Sequence, residues 1–517
     1  MNIKINNLND IVIILFSLFA ISLPFHAIEY DLFGISRFEI KITMITFILL
    51  FIVWLLLIQI NRISYKRNEL IIYLLAFIYV CSQYLSLINS TFPIETFKQS
   101  IIITCLATMM IISSQMVLGR KTAYFVIISM AATCITVSSA SLILHYFFNN
   151  VQRLGQVGNI PSQFSISRGD PTYFGDIILY GLGPCYYVFI IYCRNNLSLI
   201  LTTPFQIILF LTFAKTQSKG VLLSVLVFFF VSILFLKGKR LFMMCSCVLF
   251  LALPIADIPL KHFNLRDKLQ SKLVVSIDDA PNHMQQKSSF KIDDALNHMQ
   301  RKTSFKIALP EEEPSIIQIF FESFRKTRVS MMNNLGMSSI NIRLKAIEVS
   351  LINSLPNIWF GNGAGTSQKL LPKMATDYDK TIDRHSEKYN KMLKSGMFGV
   401  AAYGPYGGIK PAISEGIAEN NITLTDSHNL FLTEFFNVGI IGSTSLLLMI
   451  CLILYEQIKV IRKNNNKNII LNVLLFATLL SMLTHRMTAS FLVIPSLWFI
   501  LGLNLGITRL AFSSHER

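Results

Sequence analysis

The chain alternates between apolar blocks of about twenty residues and short polar connections, and one long polar stretch interrupts the series. At about 1.5 Å per residue, each block can cross the roughly 30 Å hydrocarbon core of a membrane. The blocks cover about 10–27, 39–60, 69–89, 97–117, 122–148, 173–193, 197–214, 220–236, 240–257, 430–455, 468–485 and 489–509. The pattern predicts an all-α polytopic membrane protein with about twelve transmembrane helices. A β-barrel is excluded, because the blocks are too long for barrel strands and do not alternate.

Charge sets the predicted orientation. Hydrophobic residues make up 53% of the chain and charged residues 15%, and the formal net charge is +17. The basic residues cluster in short connections, where membrane orientation favours them, so no nucleic-acid partner is expected. The positive-inside rule places both termini in the cytoplasm and the polar stretch outside. We therefore expect an N-terminal bundle of about nine helices over 1–257, a large outer loop over 258–428 and about three helices over 429–517.

The outer loop contains a tandem duplication, in which residues 277–291 recur almost unchanged as 292–306. Two copies of so short a unit cannot form a stacked solenoid, so we interpret 277–306 as a polar insertion. His283 and His298 are then copies of one residue rather than a metal pair. The 8 cysteines are scattered and form no Cys-x-x-Cys motif. Neither a metal nor a cofactor is expected.

Beyond the insertion, glycines alternate at Gly361, Gly363 and Gly365. This spacing predicts a tight turn in which the backbone approaches another part of the chain closely. No strand pattern precedes the glycines, so they are not a dinucleotide-binding fingerprint.

His428 lies where the outer loop meets the apolar block that resumes near Leu430. Histidine is the side chain best suited to accept a proton near neutral pH, which makes His428 a candidate general base beside a lipid-borne substrate. The alternative is that it only caps a transmembrane helix at the interface.

Asp176 lies about one turn into the sixth block. An isolated carboxylate in hydrocarbon is unfavourable, so we expect it to face protein or a watery cavity. It either orients an arginine or sits at a helix N-terminus because the helix dipole favours it there.

Cations near the predicted span ends and cavity wall include Arg168, Lys219 and Arg343. Guanidinium groups suit a diphosphate, because they hold phosphate oxygens in bidentate fashion and stabilise charge on a leaving group. With His428 as base, an acceptor hydroxyl would attack the anomeric carbon of a lipid-diphosphate sugar without a metal. Each cation alone is also typical of a helix-end anchor or a lipid-headgroup contact.

Four short segments together resemble signatures of the O-antigen ligase family. The most similar is Ser427-His428-Asn429, which is followed by an apolar run with glycines at 439 and 442. Arg343 followed by the alternating glycines is similar to a second signature, with Ile347 where the family usually has an aromatic residue. Residues 168–175 resemble an element that opens a membrane helix, and residues 218–220 resemble a Ser-Arg-Gly motif with Lys219 in place of arginine.

The resemblance implies a multi-pass enzyme of the bacterial inner membrane whose large loop and active site face the periplasm. It implies transfer of glycan from undecaprenyl diphosphate to a lipid A–core acceptor, with membrane lipids around the protein. His428 would be the catalytic base, and Arg343 would take part in catalysis and bind the donor diphosphate with Arg168 and Lys219. The remaining site residues, in supporting roles, would be Asp176, Asn429, Gly361, Gly363 and Gly365.

The signatures do not distinguish a ligase from a polymerase that extends a growing glycan, or from a protein O-oligosaccharyltransferase. The competing function from another class is a transporter of lipid-linked oligosaccharide. Transporters usually consist of two similar halves, and this sequence shows no such repeat. Its polar residues concentrate in a single outer loop instead, which favours an enzyme.

Overall fold

The computed structural model describes residues 5–25, 42–60, 67–148, 171–192, 196–216, 218–260, 347, 349–367, 370–371, 429–463, 469–487 and 494–513. These residues form helices, turns and short loops, and no β-strand occurs among them. Twelve long α-helices occur in this described part: α1 Ile5–Ser22, α2 Ile42–Gln59, α3 Arg67–Leu85, α4 Pro93–Met116, α5 Arg120–Phe148, α6 Pro171–Tyr192, α7 Asn196–Thr216, α8 Lys219–Phe235, α9 Arg240–Leu260, α10 Leu430–Lys463, α11 Ile469–Arg486 and α12 Pro495–Ser513. Short 3-10 helices cover Leu23–Phe25, Ser86–Asn89, Lys237–Lys239 and Leu355–Asn357.

The chain divides into two compact units. The first consists of Met1–Ile255 and Met337–Arg517, and it contains nearly all of the described helices. The second unit is Ala256–Gly336, of which the structure describes only residues 256–260. The duplicated insert 277–306 therefore lies outside the described residues.

Within the described ranges, seven helical stretches are long and apolar enough to cross a membrane. They are Ile42–Gln59, Arg67–Asn89, Pro93–Met116, Arg120–Ile143, Phe174–Ile191, Leu430–Lys463 and Ile469–Arg486. Leu8–Ser22, Lys219–Phe235 and Arg240–Leu251 are apolar but shorter. The all-α, membrane-type architecture is thus confirmed for the described residues, and each predicted block coincides with one long helix. The number of about twelve crossings stays a prediction.

Helices α6 and α11 lie at the centre of the first unit. In their apolar stretches 83% and 72% of the residues are buried, against 22% in α2, whose apolar side chains point outward. The two central helices pack against each other, and α11 also packs on α8. A Cβ atom at Gly183 would lie 2.6 Å from the Leu474 carbonyl oxygen, so the absence of a side chain permits the close approach of α6 to α11. Polar groups near the ends of α6 and α11 are consequently enclosed by protein.

Helix α10 is not the continuous span that its apolar sequence predicts. Gly439 has φ 69° and ψ −169°, which separates a first segment, 430–438, from a longer segment, 440–463. A positive φ of this kind is readily adopted only by glycine. The break follows from contacts that Gly439 makes with residues distant in sequence.

Candidate functional site

The glycine turn at 361–365 binds to the break in α10 through the backbone. The amides of Asn362 and Gly363 donate to the carbonyls of Phe436 and Asn437, at 2.9 and 3.0 Å, and the Ile440 amide donates to the Ile358 carbonyl at 2.7 Å. These bonds satisfy backbone groups that a helix break would otherwise leave without partners. Two motifs far apart in sequence are thus joined into one backbone unit.

Glycine is required on both sides of this contact. Gly361 has φ 70°, and a Cβ atom on it would lie 2.4 Å from the carbonyl carbon and oxygen of Asn437. A Cβ atom on Gly439 would lie 2.4 Å from the carbonyl group of Trp359. Both a left-handed backbone and a close approach therefore exclude a side chain at each position. The close-approach turn predicted from the sequence is confirmed.

The same turn also contacts the connection between α3 and α4. The Ala364 amide donates to the Ser86 hydroxyl at 3.0 Å. Gly363 has φ 110°, and a Cβ atom there would lie 2.5 Å from the Ser90 hydroxyl oxygen. A Cβ atom on Gly365 would lie 3.0 Å from the side chain of Gln99 in α4. The turn is therefore held between α10 and the start of α4.

Asn429 fixes the start of α10. Its side-chain oxygen accepts a hydrogen bond from the Leu432 amide at 3.2 Å, and its carbonyl accepts from the Thr433 amide at 2.9 Å. This is the arrangement of an N-cap, which satisfies an amide in the first helical turn. The residue that follows His428 in the sequence is thus the helix cap.

Glu434 binds the first segment of α10 to α3. The carboxylate is buried, and its Oε2 accepts hydrogen bonds from the Tyr79 hydroxyl at 2.5 Å and from the Gln83 amide at 3.2 Å. The ring of Tyr79 in turn stacks on Trp498, with centroids 6.2 Å apart. A buried carboxylate is tolerated only with such donors, so this cluster sets the position of segment 430–438.

A charged cluster lies at the adjoining ends of α6 and α11. Asp176 Oδ1 is 2.8 Å from His485 Nδ1, and Asp176 Oδ2 is 2.6 Å from Arg486 Nη2. All three side chains are fully buried. Of the two roles considered for Asp176, the structure shows the pairing with an arginine.

Aromatic contacts connect the Glu434 cluster to this charged cluster. Trp498, beside Tyr79, is followed by Phe499, whose ring lies 5.9 Å from that of Tyr180. Tyr180 lies one helical turn after Asp176 on α6. Trp498 and Phe499 lie near the start of α12, so the Glu434 cluster and Tyr180 both pack on the beginning of that helix.

The other residues proposed from the sequence have mixed outcomes. Lys219 is exposed in the first turn of α8, after Ser218, whose hydroxyl accepts from the Val221 amide at 3.5 Å. His428, Arg343 and Arg168 lie outside the described residues. The structure thus places the glycines against residues 436–440 of α10 and Asn429 at the start of the same helix, while the proposed base and the two arginines remain predictions.

His485 and Arg486 were not among the site residues predicted from the sequence. Their sequence signal is a histidine next to an arginine at the end of an apolar block. A charged side chain at such a position needs a buried partner or access to water. Nothing in the sequence pattern connects them to Asp176, because the ion pair forms only when α6 and α11 pack together.

In the described parts of the chain, no three His, Cys, Asp or Glu side chains lie close enough together to hold a metal ion. Comparison with models of known protein families and with curated protein sequences finds no match to this chain.

Proposed function

We propose that this protein is a membrane-embedded glycosyltransferase of the O-antigen ligase type. It transfers glycan from undecaprenyl diphosphate to a lipid A–core acceptor at the periplasmic face of a bacterial inner membrane. Its transmembrane body comprises about twelve spans, and 258–428 forms the large periplasmic loop.

One observation carries the proposal: the glycine turn binds to the break at Gly439 through three backbone hydrogen bonds. Both partners belong to segments that resemble signatures of the ligase family. Their direct contact is expected if the two segments build one site, and positive-φ glycines on both sides are the kind of backbone feature that clusters at functional sites. Asn429 and Glu434 then hold the beginning of α10 on this unit.

In the proposed reaction, His428 accepts the proton of an acceptor hydroxyl. The hydroxyl oxygen forms a bond to the anomeric carbon of the glycan, and the bond from that carbon to the diphosphate oxygen breaks. The electron pair leaves with the diphosphate. Arg168, Arg343 and Lys219 stabilise the negative charge that the departing diphosphate acquires. Lys219 acts as a point charge, because an ammonium cannot form the two-pronged contact of a guanidinium.

The proposal is tested with a strain from which the gene has been deleted. Its lipopolysaccharide is compared on a gel after complementation with wild type, His428→Ala and His283→Ala. We expect long glycan chains on lipid A–core to disappear on deletion and to return with wild type. The matched control His283→Ala restores them, whereas His428→Ala does not.

Other gel patterns contradict the ligase assignment. Restriction of the lipopolysaccharide to a single repeat unit assigns a polymerase, whose acceptor is the growing glycan. An unchanged pattern with loss of glycan from a secreted protein assigns a protein O-oligosaccharyltransferase. Membrane levels of each variant are measured in parallel, so that loss of protein is not mistaken for loss of transfer.

A further inference from the structure

Arg486 is buried without a full set of hydrogen-bond acceptors. Its side chain is fully buried, and its Nη2 contacts Asp176. Its Nε and Nη1 have no hydrogen-bond partner among the described residues. A buried guanidinium carries five N–H donors, and leaving several of them unsatisfied is strongly unfavourable. Arg486 can therefore donate to a further hydrogen-bond acceptor that the described residues do not supply.

The surroundings favour a negatively charged acceptor. Helix α6 packs against α7, α8 and α11, and α11 packs on α8. The first turn of α8 and the last turn of α11 carry the cations Lys219 and Arg486, and Asp176 is the single carboxylate in the described parts of these four helices. This end of the four helices therefore has an excess of positive charge.

A purely structural ion pair explains only part of this arrangement. Asp176 near the start of α6 and Arg486 at the end of α11 each suit the dipole of their own helix. Lys219, however, occupies the first turn of α8, where the dipole disfavours a cation. Moreover, the structural explanation gives Nε and Nη1 no role.

We propose that Arg486, oriented by Asp176, forms an oxyanion-binding subsite for the phosphate group of a membrane lipid. Phosphate offers several strong acceptors and suits the planar donor set of arginine. Two lipids share this chemistry: a polyprenyl diphosphate and an anionic phospholipid. We assign the donor diphosphate, an assignment that rests on the proposed transferase function. Arg486 then adds a grip on the leaving group within the helical bundle.

The test measures lipid binding to the purified full-length protein in nanodiscs of neutral lipid. The probes are undecaprenyl diphosphate, undecaprenol and phosphatidylglycerol. Replacing Arg486 alone leaves Asp176 as an unpaired buried charge, which threatens folding. The principal variant is therefore the double substitution Asp176→Asn with Arg486→Gln, which removes both charges together and leaves neither as an unpaired buried ion.

The double substitution Glu69→Gln with Arg509→Gln is the matched control. Arg509 is also an almost buried arginine and its Nη1 lies 3.8 Å from the buried Glu69 carboxylate, but its Nη2 donates to the carbonyls of Ser114, Gln115 and Val117, at 3.1, 3.3 and 3.2 Å. These hydrogen bonds satisfy backbone carbonyls at the C-terminal end of α4. We expect this control substitution to leave lipid binding unchanged.

We expect wild type to bind undecaprenyl diphosphate more tightly than undecaprenol, and the folded double variant of Asp176 and Arg486 to lose about tenfold or more of that preference. If wild type and the double variant prefer undecaprenyl diphosphate over undecaprenol to the same degree, the subsite is overturned. Glycan transfer by wild type would still support the proposed function in that case. A third outcome is that wild type shows no glycan transfer and no preference for the diphosphate, but binds phosphatidylglycerol, and the double variant loses this binding. That result supports the subsite with a phospholipid headgroup as its ligand and contradicts the proposed function. No phosphate-dependent binding in any protein overturns the subsite.

Discussion

Gly361 and Gly439 lie so close together that a methyl group on either one would overlap the backbone next to the other. Both have a positive φ, of 70° and 69°. The hydrogen bonds beside them join the glycine turn to the start of α10. This pair couples residues 358–363 to the helix that follows the proposed catalytic histidine.

Replacing Gly439 with alanine should destabilise the protein and reduce transfer. A left-handed residue with a Cβ atom costs on the order of 1–3 kcal/mol, and the overlap with the Trp359 carbonyl adds to this. Thermal unfolding of purified protein measures the first effect, and transfer at matched protein levels measures the second. Gly119→Ala is the control, because a Cβ atom there meets nothing within 4 Å. Equal melting temperatures for the two variants would contradict the close contact.

Tyr79→Phe should loosen the first segment of α10. The substitution removes the hydroxyl that donates to Glu434 at 2.5 Å and leaves a buried carboxylate with one donor fewer. We expect a loss of about 1–3 kcal/mol in the free energy of unfolding. Tyr84→Phe serves as the comparison, since its hydroxyl shares a hydrogen bond with the neutral Thr104 hydroxyl at 3.1 Å in a half-buried setting. Similar stability of both variants would show that the Glu434 cluster does not hold the segment.

Asp176→Ala should destabilise the protein strongly, because Arg486 then becomes an unpaired buried cation. Breaking a buried pair by removing one partner typically costs about 3–5 kcal/mol. The double substitution of Asp176 by Asn and Arg486 by Gln should recover most of the loss. Asp10→Ala is the matched control, because Asp10 and Lys121 form an ion pair with side chains 59% and 69% exposed, and such pairs contribute little. Additive losses in the double variant would indicate that the two charges do not interact.

The sequence was sufficient to predict the positions of the described helices. Hydrophobic blocks are a one-dimensional property, and a membrane-type helix needs little beyond length and apolar composition. The break at Gly439 was missed for the opposite reason. A glycine inside an apolar run is compatible with a continuous helix, and the contact that breaks it comes from residues 358–363 in another part of the chain.

Those parts of the candidate site that depend on residues close together in the sequence could be predicted. The alternating glycines are a local signal of a tight turn, which occurs in the structure. The helix cap was considered only for His428, whereas the residue that caps α10 is Asn429. The partners of Asp176 were not predictable, because His485 and Arg486 belong to a helix that meets α6 only after packing. The partners of Glu434 on α3, Tyr79 and Gln83, were not predictable for the same reason.

Deleting the duplicated insert 277–306 should leave transfer largely intact. The two copies lie outside every segment that resembles the ligase family, and they have the composition of a polar insertion. Transfer by the deletion variant is measured against wild type at equal membrane levels. A stable but inactive deletion variant would assign the insert to the acceptor site instead.

In the proposed reaction, glycan transfer needs no metal and depends on His428. It is measured as transfer from an undecaprenyl-diphosphate-linked glycan to lipid A–core by purified wild type and His428→Ala, with a metal chelator present throughout. We expect transfer by wild type in chelator, and none by His428→Ala although that variant inserts and melts like wild type. Equal transfer by the two proteins, or wild-type transfer that is lost in chelator and restored by a divalent cation, would contradict the proposed reaction.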